Sequence, residues 1–423
     1  MIVKQQMLSN LLAPLRVRDF RLLFIGQMVS TIGDMFYAVA LPWLMLNSGH
    51  TPQELGIVLA AYGVPRVGTL LLGGLLSDWL RPRRVMLLAD IMRAVLVAAL
   101  VALVLSGRTQ VLPLSVVAAP LGAFAGLFLP AYYAVLPEVL DEDALQAGNA
   151  LNTSTLQLAL LIGSGLAGLV VSRLSPAAAF VVDALTFVVS AFTLALMRAR
   201  PQPEKALATD QSSTQESEEE SKRKPAFAPE ITFWQLLRSW RLLQVAFLVI
   251  VFGNFLFNGL FEVALPTLAR NQFMAGPGGY GLLLAMFGGG SLLGGLAAGG
   301  LGQLRRRGLL LLSLIMLLGV LYSLVPFAGG LPGAALLIAC AGFSNGMLTV
   351  LAFTIMQQQS PPHLLGRLLG MFLFASLGLY PLSVALVGVL SSRIGPVIIF
   401  PISGAMMLLA SAFGWLQRDV RQL

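Results

Sequence analysis

The sequence predicts an all-α membrane protein, with 12 transmembrane helices in two pseudo-symmetric six-helix bundles. Three observations carry that prediction. Of the 423 residues, 57% are hydrophobic and 11% charged, and the mean hydropathy is +0.84. A water-soluble domain of this size carries far more charge, so the bilayer is the solvent. The apolar residues also fall into about twelve stretches that approach or exceed the roughly 20 residues a helix needs to cross the hydrocarbon. Finally, Val39-Ala40-Leu41-Pro42 returns as Val263-Ala264-Leu265-Pro266 inside another apolar run. The match extends outward, with Tyr37 and Leu44 corresponding to Phe261 and Leu268, and Leu55-Gly56 through Gly63 resembling Tyr280-Gly281 through Gly288. Two related halves rocking about a shared cavity are the usual architecture of a transporter.

The elements follow in order. Basic residues up to Arg21 lead directly into a long first span, without the short apolar core and small-residue site of a cleavable signal. The first helix is therefore expected to act as its own insertion signal. Spans are read near 20–46, 53–76, 84–106, 111–135, 145–172 and 176–197, forming an N-terminal bundle over 1–200. Residues 201–240 break the pattern with Pro201, Pro203, a polar stretch ending in Glu218-Glu219-Glu220, and Lys222-Arg223-Lys224. Nothing there can bury a core, which predicts a flexible linker. Phe233, Trp234, Leu236, Leu237 and Trp240, with Arg238 and Arg241, read as a short amphipathic helix on the membrane surface at its end. Six further spans fill the C-terminal bundle over 241–423, near 241–268, 278–302, 308–327, 332–356, 364–391 and 394–416. Glycine pairs such as Gly73-Gly74, Gly294-Gly295 and Gly299-Gly300 suit close helix packing. No alternation of polar and apolar residues favours a β-barrel.

Charge sets the orientation. If the amino terminus is cytoplasmic, the outer turns hold only Arg108, Arg173, Arg270 and Arg393, while the other loops and both ends hold the basic residues outside the spans. That asymmetry predicts a multi-pass protein of the inner (plasma) membrane with both termini in the cytoplasm. It also accounts for the net charge of +8 without a nucleic-acid partner. The partners expected are the lipid bilayer and a small amphipathic substrate, for a chain working as a monomer.

Between the second and third spans stands Gly74-Leu75-Leu76-Ser77-Asp78-Trp79-Leu80-Arg81-Pro82-Arg83-Arg84. It resembles the signature Gly-x-Leu-Ala-Asp-Arg-x-Gly-Arg-Lys of the major facilitator superfamily, with Trp79 and Pro82 in place of two family arginines. A decayed copy, Gly299-Gly300-Leu301-Gly302-Gln303 with Arg305-Arg306-Arg307, occupies the equivalent place in the second half. The resemblance covers essentially the whole chain and implies the major facilitator fold. Gly74, Asp78, Arg83 and Arg84 would then act as a latch between moving halves, the glycine allowing close helix approach and the carboxylate facing cations or a helix N-terminus. Leu15-Arg16-Val17-Arg18-Asp19-Phe20-Arg21, Gly33-Asp34, Leu136-Pro137-Glu138 and Ala179 through Phe187 resemble the branch containing enterobactin exporters and macrolide-efflux proteins. Helix five has Gly163-Ser164-Gly165-Leu166-Ala167-Gly168 where antiporters of the wider superfamily often carry Gly-Pro-x-x-Gly-Gly.

Ionisable groups within spans are costly and mark pairs or water-filled cavities. Asp34, Arg66, Asp90, Arg93, Asp183 and Glu262 qualify. At about 1.5 Å per residue, Asp34 and Arg66 both lie about 18–20 Å from the outer ends of their helices, so they are expected to pair or exchange partners. Glu262 has no acidic twin, since Ala38 holds the equivalent place. Asp34, Arg66, Glu262 and Asp183 are therefore the candidate proton-coupling groups. Asp90 and Arg93, three apart on one face, are expected to satisfy each other and to serve as gate or scaffold. Gln27, Tyr37, Asn149, Gln157, Asn254, Asn258 and Asn345 are candidate cavity lining, with Phe36, Phe257 and Phe261 as apolar walls. Pro42, Pro65, Pro266 and Pro381 are expected to soften helices at gates.

Enzyme motifs occur out of context. Gly342-Phe343-Ser344-Asn345-Gly346 fits a nucleophile elbow but lies within a span. Gly276-x-Gly278-x-x-Gly281 and Gly163-x-Gly165-x-x-Gly168 mimic a dinucleotide fingerprint without a preceding strand, and read as packing surfaces. Cys340 is the only cysteine, and no Gly-Lys pair provides a P-loop. His50 and His363 fall on opposite sides of the membrane and cannot share a metal. The expectation is a non-enzymatic secondary transporter without cofactor, powered by the proton gradient and exporting drugs, macrolide-like compounds or siderophores by alternating access. A lipid or lysolipid flippase, a symporting importer and, from another class, a membrane sensor or scaffold are the competing readings.

Overall fold

The same glycine of the internal repeat closes both seams between the halves. In the computed structural model, which describes residues 12–79, 81–198, 253, 255, 257–300, 307–359 and 376–417, every long regular element is a helix. The first half holds α1 (Arg18–Asn47), α2 (Pro52–Trp79), α3 (Pro82–Leu105), α4 (Val111–Val139), α5 (Asp143–Arg173) and α6 (Pro176–Leu196). The second holds α7 (the π turn Leu260–Ala264 running into Leu265–Asn271), α8 (Pro277–Gly300), α9 (Arg307–Leu324), α10 (Leu331–Gln359), α11 (Tyr380–Ile394) and α12 (Pro396–Leu416). Among the described residues, nine helical stretches are long and apolar enough to cross a membrane. The linker and the amphipathic segment lie outside the described residues.

Three spans differ from the uninterrupted helices expected. A π turn at Ala159–Gly163 interrupts α5, and another, Leu260–Ala264, opens the described part of α7. The second turn is bridged from outside: the Ser383 hydroxyl accepts the Gly259 N–H at 2.8 Å and donates to the Phe255 carbonyl. α11 starts afresh at Tyr380, because Pro381 has no N–H to return to the carbonyl four residues before it.

Within each half, glycines let equivalent pairs of helices touch backbone to backbone. A Cβ on Gly122 or Gly126 of α4 would collide with the Tyr62 or Arg66 carbonyl of α2. In the second half Gly290 and Gly294 of α8 meet the Ala339 and Phe343 carbonyls of α10 in the same way. Gly342 and Gly346 return that contact on Phe287 and Ser291, while the Ser344 hydroxyl is spent on the Cys340 carbonyl at 3.0 Å. The apparent nucleophile elbow is thus a helix-packing surface.

Between the halves, α2 packs on α11 and α5 on α8, two seams related by the repeat. A Cβ on Gly56 would stand 2.6 Å from the Val384 carbonyl oxygen, and one on its repeat mate Gly281 would stand 2.5 Å from the Ser164 carbonyl oxygen. Opposite them, Gly388 faces Gly56, and Gly168 faces Gly278 and Gly281. The two dinucleotide-like glycine runs therefore pack against each other.

Both seams lie toward the end that carries the turns at 48–51 and 272–276, here the distal end. The Gln53 N–H donates to Ser392 there at 2.9 Å, and the Arg270 guanidinium donates to the Leu46 carbonyl at the C-terminal end of α1. Leu46 and Arg270 are 224 residues apart, the repeat offset, so their meeting marks the pseudo-two-fold axis. Contact continues to about mid-depth, where Gly63 abuts Tyr380 and Gly288 abuts Leu160. Beyond it the described parts of the halves separate. Asn149, Thr153 and Ser154 are exposed on α5, and among the described residues nothing approaches within 4 Å of Gly299 or Gly300 on α8. The apolar core divides accordingly. One cluster joins both halves from Phe36 and Tyr280 to Phe400, whereas toward the chain ends the clusters around Phe20 and Val85 and around Leu314 and Met347 belong to one half each.

Candidate functional site

The charged residues of the spans converge where the seams end. α6 packs against both α1 and α3 and brings Asp34, Arg93, Asp90 and Asp183 together. The Arg93 guanidinium donates to Asp34 Oδ1 at 2.5 Å and lies 3.9 Å from the Phe187 ring centre, with the Phe128 ring on another side at 6.0 Å. Its side chain is only 7% accessible, whereas that of Asp34 is 38% accessible. A carboxylate that open at mid-span faces an internal space rather than packed protein.

This pairing corrects one expectation and qualifies another. Asp34 bonds to Arg93, while Arg66 acts on it from a greater distance and sets its guanidinium 5.7 Å from the centre of the Tyr62 ring. Asp90 and Arg93 form the expected ion pair, but loosely: they stand 3.8 Å apart, and neither Asp90 oxygen accepts a well-aligned hydrogen bond among the described residues although the residue is fully buried. Arg93, twelve residues from the end of α3, sits about 18 Å deep, as Asp34 does, so depth allowed this pair without singling it out from Arg66. Asp183 is 1% exposed, with one carboxylate oxygen beside Gly33 and without a donor.

Across the seam, Glu262 projects from the π turn of α7, a backbone irregularity that recurs at functional sites. The Tyr380 hydroxyl donates to its carboxylate. The Tyr380 ring stands edge-on to Tyr62, 6.4 Å between centres, and Tyr62 in turn tilts against Tyr37 at 6.0 Å and lies under Arg66. A chain of aromatic rings thus links Glu262 in one half to Arg66 in the other. Neither Tyr62 nor Tyr380 was singled out from the sequence. Tyr62 precedes Arg66 by one helical turn, which is the clue the sequence held; Tyr380 offered none, because its partner lies 118 residues away.

The uncharged candidates fall in different surroundings. Tyr37 contacts Tyr62 and Phe180. Phe257 stacks on Phe261 at 4.3 Å, and both meet Phe287. Phe36 and Phe261 are buried in the core that joins the halves. Gln27 bonds within its own helix to Thr31 at 3.0 Å. Asn149 lies exposed on the parted stretch of α5, with Gln157 half-buried two turns on, and Asn258 and Asn345 are half-buried. Asn254 lies outside the described residues. In the signature, Arg83 donates to the Leu194 and Ala195 carbonyls, both at 2.8 Å, tying the start of α3 to the last turn of α6, and Arg84 is exposed. Gly74 and Asp78 lie on α2, but their side-chain surroundings are outside the described residues. Among the described residues no cluster of three or more His, Cys, Asp or Glu is arranged to hold a metal.

With this geometry in place, the family comparison is decisive: the model of the Major Facilitator Superfamily matches residues 23–378. The chain belongs to that superfamily. It is a multi-pass membrane transporter and not an enzyme. It is 27% identical over 382 residues to the multidrug efflux pump Tap of Mycolicibacterium fortuitum, covering 88% of this chain and 89% of that one. It is 26% identical over 415 residues to the enterobactin exporter EntS of Shigella boydii serotype 18, covering 96% and 93%. Among solved structures, a POT family transporter matches with a TM-score of 0.72 at 12% identity, over 94% of this chain and 96% of that one. The nucleoside transporter NupG matches with a TM-score of 0.66 at 13% identity, over 94% and 99%. At such identities the structural matches establish the fold alone.

Proposed function

We propose that this superfamily member is a proton-coupled exporter of amphipathic small molecules, drug-like or siderophore-like, working by alternating access in the inner membrane. The observation that carries the reading is Asp34, a carboxylate open at mid-span yet held by Arg93, at the depth where the contacts between the halves give out. Placed there, an acid meets substrate and protons by the same route. When the distal end faces outward, as the distribution of basic residues implies, the described conformation is closed to the outside. The half-buried rings of Phe257 and Tyr37 suit an apolar, ring-bearing solute, and relatives that export drugs and a siderophore support the direction and the class.

The test is transport in reconstituted vesicles under an imposed pH gradient, across a panel of cationic dyes, macrolides and catecholate siderophores. Wild-type protein is expected to move at least one of these against its gradient only while the proton gradient stands, and Asp34→Asn and Glu262→Gln to lose that dependence. Wild-type rates from both variants would end the assignment of those two acids. Uptake indifferent to the gradient would end proton coupling itself.

A further inference from the structure

Arg93 has two counterions and holds them unequally. Its guanidinium is bonded to Asp34 at 2.5 Å, while Asp90, one turn back on the same helix, waits 3.8 Å from the other terminal nitrogen. Asp90 is fully buried, neither of its oxygens has a protein donor, and the Arg93 Nε–H is likewise unpartnered. Ser190 of α6 lies beside Asp90. A buried carboxyl group left in this condition is expensive unless a partner comes to it in another state. The partner within reach is Arg93.

We propose that Asp90 is the reserve counterion of Arg93, so that the guanidinium swings from Asp34 to Asp90 when Asp34 takes up a proton. The proposal rests on the proton-coupled reading above and names the device that makes it reversible. A proton from the internal space adds to Asp34 Oδ1, the Arg93–Asp34 bond breaks, and the Arg93–Asp90 pair closes by a movement of about 1 Å, the difference between 3.8 Å and an ordinary charged hydrogen bond. At both stages the guanidinium keeps a carboxylate bonded to it, and Asp90 stays within ion-pair distance of it throughout. Without Asp90, protonating Asp34 would strand a guanidinium in an apolar core, and Asp34 would hold its ionised form against the gradient.

The neighbours are consistent with a local exchange. Arg93 faces Asp34 from α1, Asp183 from α6, Tyr62 from α2 and the Phe128 ring from α4, and Arg66 of α2 also acts on Asp34. Asp183 is a third acid beside two arginines, yet among the described residues it makes no ion pair with Arg93, so it does not compete for the swing. The Phe187 ring against the guanidinium plane gives a surface on which Arg93 turns while staying covered.

The test reads substrate-induced proton release from purified protein across pH, for wild type, Asp90→Asn, Asp90→Glu and Asp34→Asn. The expected result is that Asp90→Asn moves the midpoint of proton release to lower pH by about one to two units, the usual effect of a fixed opposite charge on a carboxylate. Asp90→Glu should restore the wild-type midpoint, and Asp34→Asn should abolish the release. A wild-type midpoint in Asp90→Asn would overturn the swap. So would failure of Asp90→Asn to fold, because Asp34 alone should keep Arg93 neutralised. If wild-type protein itself releases no protons, the proton-coupled reading has failed, which is a different outcome from a wild-type release that is unmoved by Asp90→Asn.

Discussion

Substituting Gly281 by alanine is expected to open the distal seam, and the geometry gives the size of the effect. A methyl group there would stand 2.5 Å from the Ser164 carbonyl oxygen and 2.8 Å from the Gly168 α-carbon, all backbone of the opposite half. Ordinary contact needs about 3.4 Å or more, so α8 must retreat from α5 by close to 1 Å. Backbone cannot turn aside as a side chain can, and overpacking of this kind costs about 1–3 kcal/mol. The cost falls only on the conformation in which the seam is closed, which shifts the balance between closed and open distal ends about 5- to 150-fold. The assay is a spin-label distance between Leu174 and Phe327, exposed residues at the distal ends of the two halves, in protein whose sole cysteine, Cys340, has been replaced. Wild type should give one short distance, and Gly281→Ala a second, longer one with reduced transport. Gly299→Ala is the control, because no described residue lies within 4 Å of that position. An unchanged distance in Gly281→Ala, or an equal change in Gly299→Ala, would refute the argument.

Other outcomes follow from the same contacts. Arg270→Gln removes the guanidinium from the Leu46 carbonyl on the pseudo-two-fold axis, and the same label pair should report at least a several-fold gain in open distal ends, as expected for loss of a charged hydrogen bond of about 1.5–3 kcal/mol. Tyr380→Phe leaves Glu262 without its donor, so its coupling defect should match that of Glu262→Gln, and the double variant should be no worse than either, a non-additivity measurable by transport rate. Ser383→Ala removes the hydroxyl that bridges the π turn of α7 and should lower the melting temperature in detergent by several degrees while the closed seam at Gly281 persists. Arg83→Ala should loosen the packing of α3 on the end of α6, read as faster hydrogen exchange at Leu194 to Met197.

Much of the fold was legible because the bilayer imposes one rule, that every backbone group in the hydrocarbon be satisfied within its own helix. Length and hydropathy then suffice to mark where α3, α6 or α8 begins and ends, within a few residues. The breaks were not legible, since π turns at Ala159–Gly163 and Leu260–Ala264 carry no pattern of their own and the second is held by Ser383, more than a hundred residues away. The site divided in a similar way. A charge in an apolar span is visible at once, and all six charged residues named from the sequence lie at or near the convergence of the helices. Which of them pair was not visible, because depth along each helix fixes only one coordinate. Asp34, Arg66 and Arg93 share that coordinate, and rotation about the helix axes decides that Asp34 meets Arg93.

The chain by itself determined its solvent, its duplicated halves and the glycines at equivalent places in each, because these are matters of composition and repeat. Only the folded arrangement decided that Gly56 and Gly281 close two seams at one end, that Tyr380 crosses to Glu262, and that Asp90 is left waiting beside Arg93. The physical reason is that helix packing is set by contacts between residues far apart in the chain, where a single methyl group or a rotation of one helical face changes which side chains meet.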